Sequence, residues 1–539
     1  MTTPRRTTTT AALCAMSLAL AIVLLRSMLV VWAHSPTWDE QYHLWRGLLL
    51  TASPERTEWN DPPTVEAVLA FPLWALDLAP DAAHLKQPLR YGQASTQTLQ
   101  WIIAAWKSLL LLPLLAVAFV WTRELYGTAA GWLALGLIVF EPTLAAVTPL
   151  ATPDSLGVTG ITVAMYLAWR AARYPTNVNL AIAGVGCSVG VLLKHTAVIA
   201  PLAAGAFMAI YWIAQREKSA EISIGRLIFR RLAMMWLVSA ASLWVMTGLD
   251  WSRPDQWGRH LSAEYDDGWS IRTDVINPAM MRPMPAGMYF GSLAEAYSHG
   301  EEGHLAYLAG RTSYRGWWYY FPVVGSYKVP IGFAAILLVA MLCLRRRFSA
   351  GDAWLIGAGA IWLVFVASSG INIGFRHALP GYILLLIASS RLLLRDQAKW
   401  VRAAAVIAFA AGAVHVLAAH PDYLSYINRP DDRAYLVISD SNVDWGQSLK
   451  QLRRWAENRD QTLSVVYFGD PQTPWVQVYL GDRAMEIEPG ELPESGLLAV
   501  SAALEPRHSA YRMLRSQQPV AVLGDGAMRL YAMPAAAGN

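Results

Sequence analysis

Charged residues are scarce in this sequence. Asp, Glu, Lys and Arg make up only 15% of the 539 residues, whereas a soluble domain carries about 25%. Hydrophobic residues account for 55%, and the mean hydropathy is +0.31. So few charges cannot cover a soluble surface, and we therefore predict a polytopic membrane protein. The formal net charge of +4 is small, so a nucleic-acid partner is not expected.

Cysteine is also rare. Cys14, Cys187 and Cys343 all fall in apolar runs, which argues against disulfides, a CxxC site or a zinc cluster. The first apolar run, residues 11–33, is longer than the core of a signal peptide and long enough to span a bilayer. We therefore interpret it as a retained transmembrane helix.

Long apolar runs, in contrast, are abundant. Eleven of them are candidate transmembrane helices: residues 11–33, 97–121, 129–150, 154–170, 178–193, 196–214, 232–250, 328–344, 353–369, 377–394 and 402–419. The many tryptophans and tyrosines are typical of membrane–water boundaries.

The basic residues predict the orientation of these helices. Lys and Arg concentrate in every second connection, for example at 230–231 and 345–347, while the alternate short connections hold only Lys194 and Arg376. Basic loops stay in the cytoplasm. We therefore predict a cytoplasmic N-terminus, with the long loops 34–96 and 251–327 on the extracytoplasmic side. The Gly-, Pro- and aromatic-rich second loop could be a mobile cover.

The C-terminal region has a different pattern. Residues 1–419 are predicted to form the transmembrane domain, and residues 420–539 a small extracytoplasmic α/β domain. Its expected strands are 433–440, 462–469, 496–502, 519–525 and 528–534, with helices at 445–459 and near 506–517.

The segment DSNVDWGQ (440–447) has two interpretations. It could be a strand-to-helix turn in which Asp444 caps the helix. Alternatively, Asp440, Asn442 and Trp445 could line a groove for a sugar or an acceptor.

Ionisable residues at the ends of the predicted spans are candidates for function, because such groups are costly at membrane depth and usually have a role. By the predicted topology, all of the following lie on the outer side: Asp39, Glu40, Asp154, Lys194, His195, Lys328, Arg376 and His377. The acids could act as a general base or as metal ligands, and the bases could bind a phosphate.

Structural interpretations of these residues also stay open. Asp154 at a helix start would interact favourably with the helix dipole, and Lys194 could simply reach towards lipid headgroups. The aromatic run at 317–322 could be a membrane-boundary belt or a sugar-stacking surface. The adjacent acids Asp39 and Glu40 are harder to explain structurally, since like charges repel.

Several stretches, taken in order, resemble the GT-C superfamily of integral-membrane glycosyltransferases, in particular bacterial proteins similar to protein O-mannosyltransferases and to the lipid A aminoarabinose transferase. They cover about residues 10–460 and are WDEQYHLWRG (38–47), WNDPPTVEAVLAFPL (59–73), LATPDSLG (150–157), GHLAYLAG (303–310), WWYYFPVVGSYKVP (317–330), NIGFRHALP (372–380), HPDYLSYIN (420–428) and DSNVDWGQSLKQL (440–452).

The resemblance implies a mainly α GT-C bundle of about eleven transmembrane helices with a small extracytoplasmic α/β domain, in a bacterial inner membrane. It implies inverting transfer of a sugar from a polyprenyl phosphate or diphosphate to a glycan, lipid or protein acceptor. A lipid carrier fits the predicted orientation, because nucleotide sugars are made in the cytoplasm. Relatives often have His before the two prolines of the first loop, whereas this chain has Asp61.

The resemblance also implies roles for individual residues. Asp39 would be the base, and Glu40 would orient the acceptor or assist a metal. The donor phosphate would be bound by Arg376, His377, Lys328, Lys194 and His195, and sugars would contact Asp154, Tyr42, His43, Trp317, Trp318 and Tyr319. Asp39 and Asp154 could hold Mg²⁺ or Mn²⁺.

Two rival functions remain. A transporter or lipid flippase would place polar groups near the bilayer midplane, where Lys107 and Glu141 are predicted to lie. A non-catalytic partner in envelope polysaccharide assembly is the second rival.

Overall fold

The structure is a computed structural model that describes residues 4–52, 61–215, 224–257, 280–344, 348–457, 459 and 461–533. Parts of both long loops, residues 53–60 and 258–279, therefore lie outside the described residues. So do the first two residues of the WNDPP motif and the basic residues at 216, 218 and 345–347.

Each of the eleven predicted segments contains helix. Six helices are long and apolar enough to cross a membrane: Cys14–Ala33, Thr96–Tyr126, His195–Ala214, Ile224–Met246, Ala350–Ser368 and Lys399–Ala418. A seventh span results if the pair Tyr320–Lys328 and Ile331–Cys343, bent by 120°, is counted as one. The bend falls at Pro330, which lacks the N–H that would continue the helix. The chain is thus a multi-pass membrane protein.

The remaining predicted spans are shorter or more polar helices within the described part of the chain. Thr128–Val139, Asn177–Leu193 and Leu379–Leu393 are apolar but short. Asp154–Arg173 has twenty residues but carries charges at both ends. These helices are extensively buried against the longer ones, so the apolar runs reflect protein contacts as well as lipid contacts.

The long loops 34–96 and 251–327 are called the first and second outer loops after their predicted side. The first outer loop contains two packed helices, Glu40–Ala52 and Pro63–Ala75. Pro63 occupies the first turn of the second helix, where its missing N–H costs nothing. The helices touch at Gly47, where a Cβ atom would lie 2.1 Å from the carbonyl oxygen of Glu66. Only glycine permits this approach, which places Glu66 directly beside the first helix.

Shorter elements lie between the long apolar helices. They are the helices Pro88–Tyr91, Pro142–Val147 and Gly287–Glu302, a strand pair of Trp251–Ser252 with Met284–Pro285, and a hairpin of Ala306–Leu308 with Arg311–Ser313.

The C-terminal region contains a five-stranded mixed sheet. We number its strands β1 (Leu463–Val466), β2 (Ala484–Glu486), β3 (Gly496–Ser501), β4 (Ala521–Leu523) and β5 (Met528–Met533), and their spatial order is β2-β1-β3-β5-β4. Strands β2 and β3 are parallel to β1, whereas β5 is antiparallel to β3 and β4. Helices Leu449–Ala456 and Trp475–Leu480 accompany the sheet, which confirms the predicted α/β fold class.

Two local predictions for this region are wrong. Residues 433–440 are not a strand: they contain the short 3₁₀ turn Ala434–Leu436, and a second one follows at Asp440–Asn442. Asp444 does not cap the next helix, because its carboxylate accepts hydrogen bonds from Gly446 N–H and Ser501 instead. The helix predicted near 506–517 is present as the 3₁₀ helix Ser509–Ser516.

The sheet packs on the first outer loop rather than standing apart. Leu44 and Leu48 of the helix Glu40–Ala52 share one hydrophobic cluster with Leu452 and Val465. This contact holds the segment that carries Asp39 and Glu40 against the C-terminal region.

Candidate active site

A cavity of about 480 Å³ lies where the outer loops meet the ends of the membrane helices. Its wall includes residues from the first outer loop, the turn before helix Asp154–Arg173, the break at Lys194, and the segments 296–304 and 371–377. The titratable residues and large aromatics that line it are Trp38, Asp39, Tyr42, His43, Arg46, Asp61, Asp154, Lys194, His195, His299, His304, Arg376, His377 and Trp445. Residues distant in sequence thus converge on one polar chamber.

The adjacent acids Asp39 and Glu40 point in different directions. Glu40 is 2% exposed: one carboxylate oxygen accepts hydrogen bonds from the backbone N–H and hydroxyl of Thr37, and the other accepts the N–H of Ala151 at 3.0 Å. Asp39 lines the cavity, and no group among the described residues donates to its carboxylate. Glu40 therefore has a structural role outside the cavity wall, whereas the carboxylate of Asp39 is available to a ligand in the cavity.

Burial raises the pKa of Asp39 above its ordinary value, although His43 and Arg376 act in the opposite direction. A carboxylate with a raised pKa is a better proton acceptor than an ordinary aspartate.

Asp154 lies between two cations. Its carboxylate is 2.5 Å from Lys194 Nζ and 3.5 Å from Arg376 Nε. One negative charge shared by two positive charges leaves a net positive charge on this wall, which suits an anion such as a phosphate. Lys194 is fixed in an ion pair and does not reach outward as a headgroup-seeking lysine would.

Arg376 is held by the DSNVDWGQ segment. Its guanidinium stacks 3.9 Å from the centre of the Trp445 ring and donates a hydrogen bond to Ser441. The side-chain oxygen of Asn442 accepts the N–H of Phe375, the preceding residue. Of the three residues considered for a groove, only Trp445 lines the cavity, because Asp440 pairs with Arg507 and Asn442 is bonded internally.

Lys328 lies outside this cavity. Its ammonium group donates to the carbonyls of Leu424, Tyr426 and Asn442 at 2.7–2.9 Å. All three donor positions are occupied, so the structure does not place Lys328 with the phosphate-binding candidates. Instead, it ties the segment 424–442 to the bundle.

The aromatic run at 317–322 also lies apart from the cavity wall. Trp318 is 75% exposed and Tyr319 is 36% exposed, while Trp317 packs against the main core. None of the three lines the cavity, which favours the interpretation of this run as a membrane-boundary belt.

A second group of charges lies beside Asp39. His43 Nδ1 is 3.0 Å from a carboxylate oxygen of Glu66, and Arg46 is 3.7 Å from the other. Burial alone would lower the pKa of His43, but Glu66 outweighs it and raises the pKa to about 9. Asp61 faces the same space, and burial raises its pKa as well.

The proposed metal pair Asp39 and Asp154 does not fit a divalent cation well. Asp154 is already neutralised by Lys194 and Arg376, and both cations would repel a metal. His43, Asp61 and Glu66 offer a better donor set, because their ligand atoms all lie within 4.8 Å of one another and one of the two cations at Glu66, His43, can itself become a ligand by losing its proton.

The sequence did not identify Arg46 and Glu66 as site residues. Asp61 was noted only because relatives often have His at this position. The available signal was a lone Glu in the apolar stretch PPTVEAVLAFPL, where an acid without a partner is costly. His299 and His304 of the second outer loop were also missed, since nothing in the sequence connects them to Asp39.

Another cavity, of about 600 Å³, involves Tyr126, Asp352 and Arg391. Here Arg391 lies 3.3 Å from Asp352, and Tyr126 donates to the same carboxylate. Because this acid is already paired, the cavity is a weaker candidate for chemistry.

Known proteins share features with this chain. Residues 95–244 match the family model of dolichyl-phosphate-mannose-protein mannosyltransferases. No curated protein matches the sequence.

Two solved structures illustrate what this chain is similar to. ArnT from Cupriavidus metallidurans, bound to undecaprenyl phosphate, has a TM-score of 0.50 and 12% identity, with 97% of this chain and 99% of that chain covered. The oligosaccharyltransferase AglB from Archaeoglobus fulgidus, in complex with an inhibitory peptide and a dolichol-phosphate, has a TM-score of 0.47 and 13% identity, with 86% of this chain and 64% of that chain covered. The family match and the ArnT-like fold confirm the predicted resemblance to GT-C glycosyltransferases.

Proposed function

We propose that this protein is a membrane glycosyltransferase that moves a sugar from a polyprenyl-(di)phosphate-linked donor to an acceptor hydroxyl on the extracytoplasmic side. The family match at residues 95–244 and the fold shared with an undecaprenyl-phosphate-bound protein support this proposal. The observation that carries it is the placement of an unpaired carboxylate, Asp39, in one cavity with Arg376 and Lys194.

In this reaction Asp39 accepts the proton of the acceptor hydroxyl as its oxygen attacks the anomeric carbon of the donor. The bond between that carbon and the phosphate oxygen breaks, and the lipid phosphate leaves with the electron pair. Attack opposite the leaving group inverts the anomeric centre. A positioned general base typically contributes a factor of about 10²–10⁴ in rate.

Arg376 and Lys194 neutralise the departing phosphate, and Asp154 positions both cations. The guanidinium offers paired donors that match phosphate oxygens, and its stacking on Trp445 restricts its orientation. Tyr42, His195 and His377 line the same cavity and contact the sugars or the phosphate.

The distribution of Lys and Arg supports the proposed orientation. It places Asp39 and the C-terminal region outside the cytoplasm of a bacterial inner membrane, where a polyprenyl carrier delivers sugars along the bilayer. Glycan, lipid and protein acceptors all carry a suitable hydroxyl.

The transporter alternative loses its main support. Lys107 donates to the carbonyl of Thr152, and Glu141 accepts the N–H of Leu144 at 2.5 Å. Both mid-span charges thus bond to the backbone, and neither lines the cavity that holds Asp39.

The substitution Asp39→Asn tests the proposal. Membranes containing the protein are given a panel of polyprenyl-phosphate- and polyprenyl-diphosphate-linked sugars, and release of the lipid phosphate is measured. We expect Asp39→Asn to slow release at least about 100-fold. The matched control is Asp81→Asn, an exposed acid of the same loop, which should not alter release. Wild-type rates in Asp39→Asn would overturn the proposal, as would the absence of release from every donor.

A further inference from the structure

His43, Asp61 and Glu66 form a compact cluster at the edge of the cavity. Each offers one ligand atom, and these atoms lie within 4.8 Å of one another. His43 and Asp61 line the cavity, whereas Glu66 is fully buried behind them. A nitrogen and two carboxylate oxygens therefore converge beside Asp39.

The fold holds this cluster in place. His43 lies on the helix Glu40–Ala52, and Glu66 lies in the first turn of the helix Pro63–Ala75. The close helix contact at Gly47 fixes the backbone of Glu66 beside His43. The donor set is thus set by backbone packing and does not depend on mobile surface side chains.

The spacing suits shared coordination. His43 Nδ1 is 3.1 Å from Oε1 and 3.0 Å from Oε2 of Glu66. Two ligands that each lie about 2.0–2.2 Å from one tetrahedral metal are about 3.3–3.6 Å apart, so the two groups would need to separate by only a few tenths of an ångström. A metal ion can therefore take the place of the hydrogen that His43 and Glu66 share, and the partly exposed Asp61 can turn towards it.

The local charge is also favourable. Asp39, Asp61 and Glu66 bring three carboxylates together, and two cations, His43 and Arg46, pair with Glu66. His43 must lose its proton to bind a metal, so three carboxylates would then face Arg46 alone. Nearby, His195 is only 4% exposed, and neither of its ring nitrogens has a hydrogen-bond partner among the described residues. This edge of the cavity, opposite in charge to the wall of Lys194 and Arg376, would thus combine an excess of carboxylates with a buried, unsatisfied imidazole of the same cavity.

We propose that His43, Asp61 and Glu66 bind one divalent transition-metal ion, Zn²⁺ or Mn²⁺. A mixed nitrogen and oxygen set suits these ions, and three protein ligands leave a coordination position open. The ion would lie beside Asp39, not between Asp39 and Asp154. When bound, it would supply Lewis acidity to an oxygen atom in the cavity, a role that rests on the proposed function, whereas binding itself does not.

Metal content of the purified full-length protein tests this inference. The detergent-solubilised protein is treated with a chelator and then titrated with Zn²⁺ or Mn²⁺, and binding is followed by calorimetry and elemental analysis. We expect about one ion per chain, with affinity reduced at least about tenfold in His43→Gln, Asp61→Asn and Glu66→Gln. The matched control His84→Gln removes an imidazole from the exposed pair of His84 with Asp81 and should not affect binding.

Size-exclusion chromatography and thermal unfolding check that each variant is folded. If Glu66→Gln does not fold, Asp61→Asn provides the test, because Asp61 is partly exposed. The inference is overturned if the wild type takes up no stoichiometric ion, or if Asp61→Asn and His43→Gln bind it as tightly as the wild type. A wild type that takes up no ion but still shows Asp39-dependent transfer would overturn this inference alone, whereas stoichiometric binding without transfer would overturn only the proposed function.

Discussion

Lys194 Nζ lies 2.5 Å from the carboxylate of Asp154, and both side chains are almost completely buried, at 10% and 5% exposure. The two residues are forty positions apart, at the break after one helix and the start of another. Their contact, together with Arg376, builds the cationic wall of the cavity, and its loss should affect both stability and activity.

Asp154→Asn should destabilise the protein strongly, because it leaves two buried cations without their shared anion. Removing one partner of a buried pair typically costs about 3–5 kcal/mol. Thermal unfolding in detergent would show the loss. The control is Asp255→Asn, which breaks the more exposed pair with Arg253, also 2.5 Å long, and such surface pairs are worth about 0–1 kcal/mol. Equal effects of the two substitutions would contradict the role of Asp154.

Arg376→Lys should weaken binding of polyprenyl phosphate although it preserves the charge. Lysine lacks the planar fork that matches a phosphate and the stacking on Trp445. We expect the dissociation constant for undecaprenyl phosphate, measured by native mass spectrometry or calorimetry, to rise about tenfold or more. Arg429→Lys is the control, since Arg429 stacks 4.0 Å from the Tyr327 ring outside the cavity. Unchanged affinity in Arg376→Lys would remove Arg376 from the phosphate site.

As the pH is lowered, activity should begin to fall at a pH above the ordinary pKa of an aspartate. A general base works only when deprotonated, so kcat/KM should rise with pH through the pKa of Asp39. Burial raises this pKa, which moves the acid limb above about pH 4. A pH–rate profile of the wild type checks the position of the limb, and the residual activity of Asp39→Asn should lack it. A flat profile between about pH 4 and 7 would argue against Asp39 as the base.

Glu40→Gln should lower the stability of the protein but leave its turnover nearly unchanged. The amide nitrogen of Gln cannot accept a hydrogen bond, so one of the N–H groups of Thr37 and Ala151 loses its acceptor. A buried donor without a partner costs about 1–3 kcal/mol, and thermal unfolding should report this loss. Turnover per folded molecule should stay within a few-fold of the wild type, in contrast to Asp39→Asn. A folded but inactive Glu40→Gln would restore the catalytic role that the sequence suggests.

The sequence predicted much of the architecture because its signals are local. Apolar runs mark each of the six long apolar helices in the described part of the chain, and short apolar stretches mark four of the five strands of the C-terminal sheet. Strand β2 was not predicted, because it is three residues long and two of these residues are exposed. The span count was less secure, because an apolar run indicates burial but does not distinguish lipid from neighbouring protein.

The candidate site was predicted in outline. The clustering of acids and bases at one end of the helices depends only on where the spans end, and most of the named residues do line one cavity. The positions of the span ends could not show that Lys328 and Glu40 lie outside the cavity wall. A buried lysine bonded to three carbonyls and one that faces a ligand look alike in a sequence.

The composition and the order of apolar segments thus determine that this chain is a membrane protein whose candidate site residues lie near the ends of its apolar helices. Only the tertiary structure decides which of two adjacent acids is free, because backbone N–H groups from Thr37 and Ala151 capture Glu40 and leave Asp39 facing the cavity. It also decides that Glu66 meets His43, since their contact depends on the close approach of two helices at Gly47. Hydrogen-bond partners and helix packing are properties of the folded chain, and no local pattern of residues encodes them.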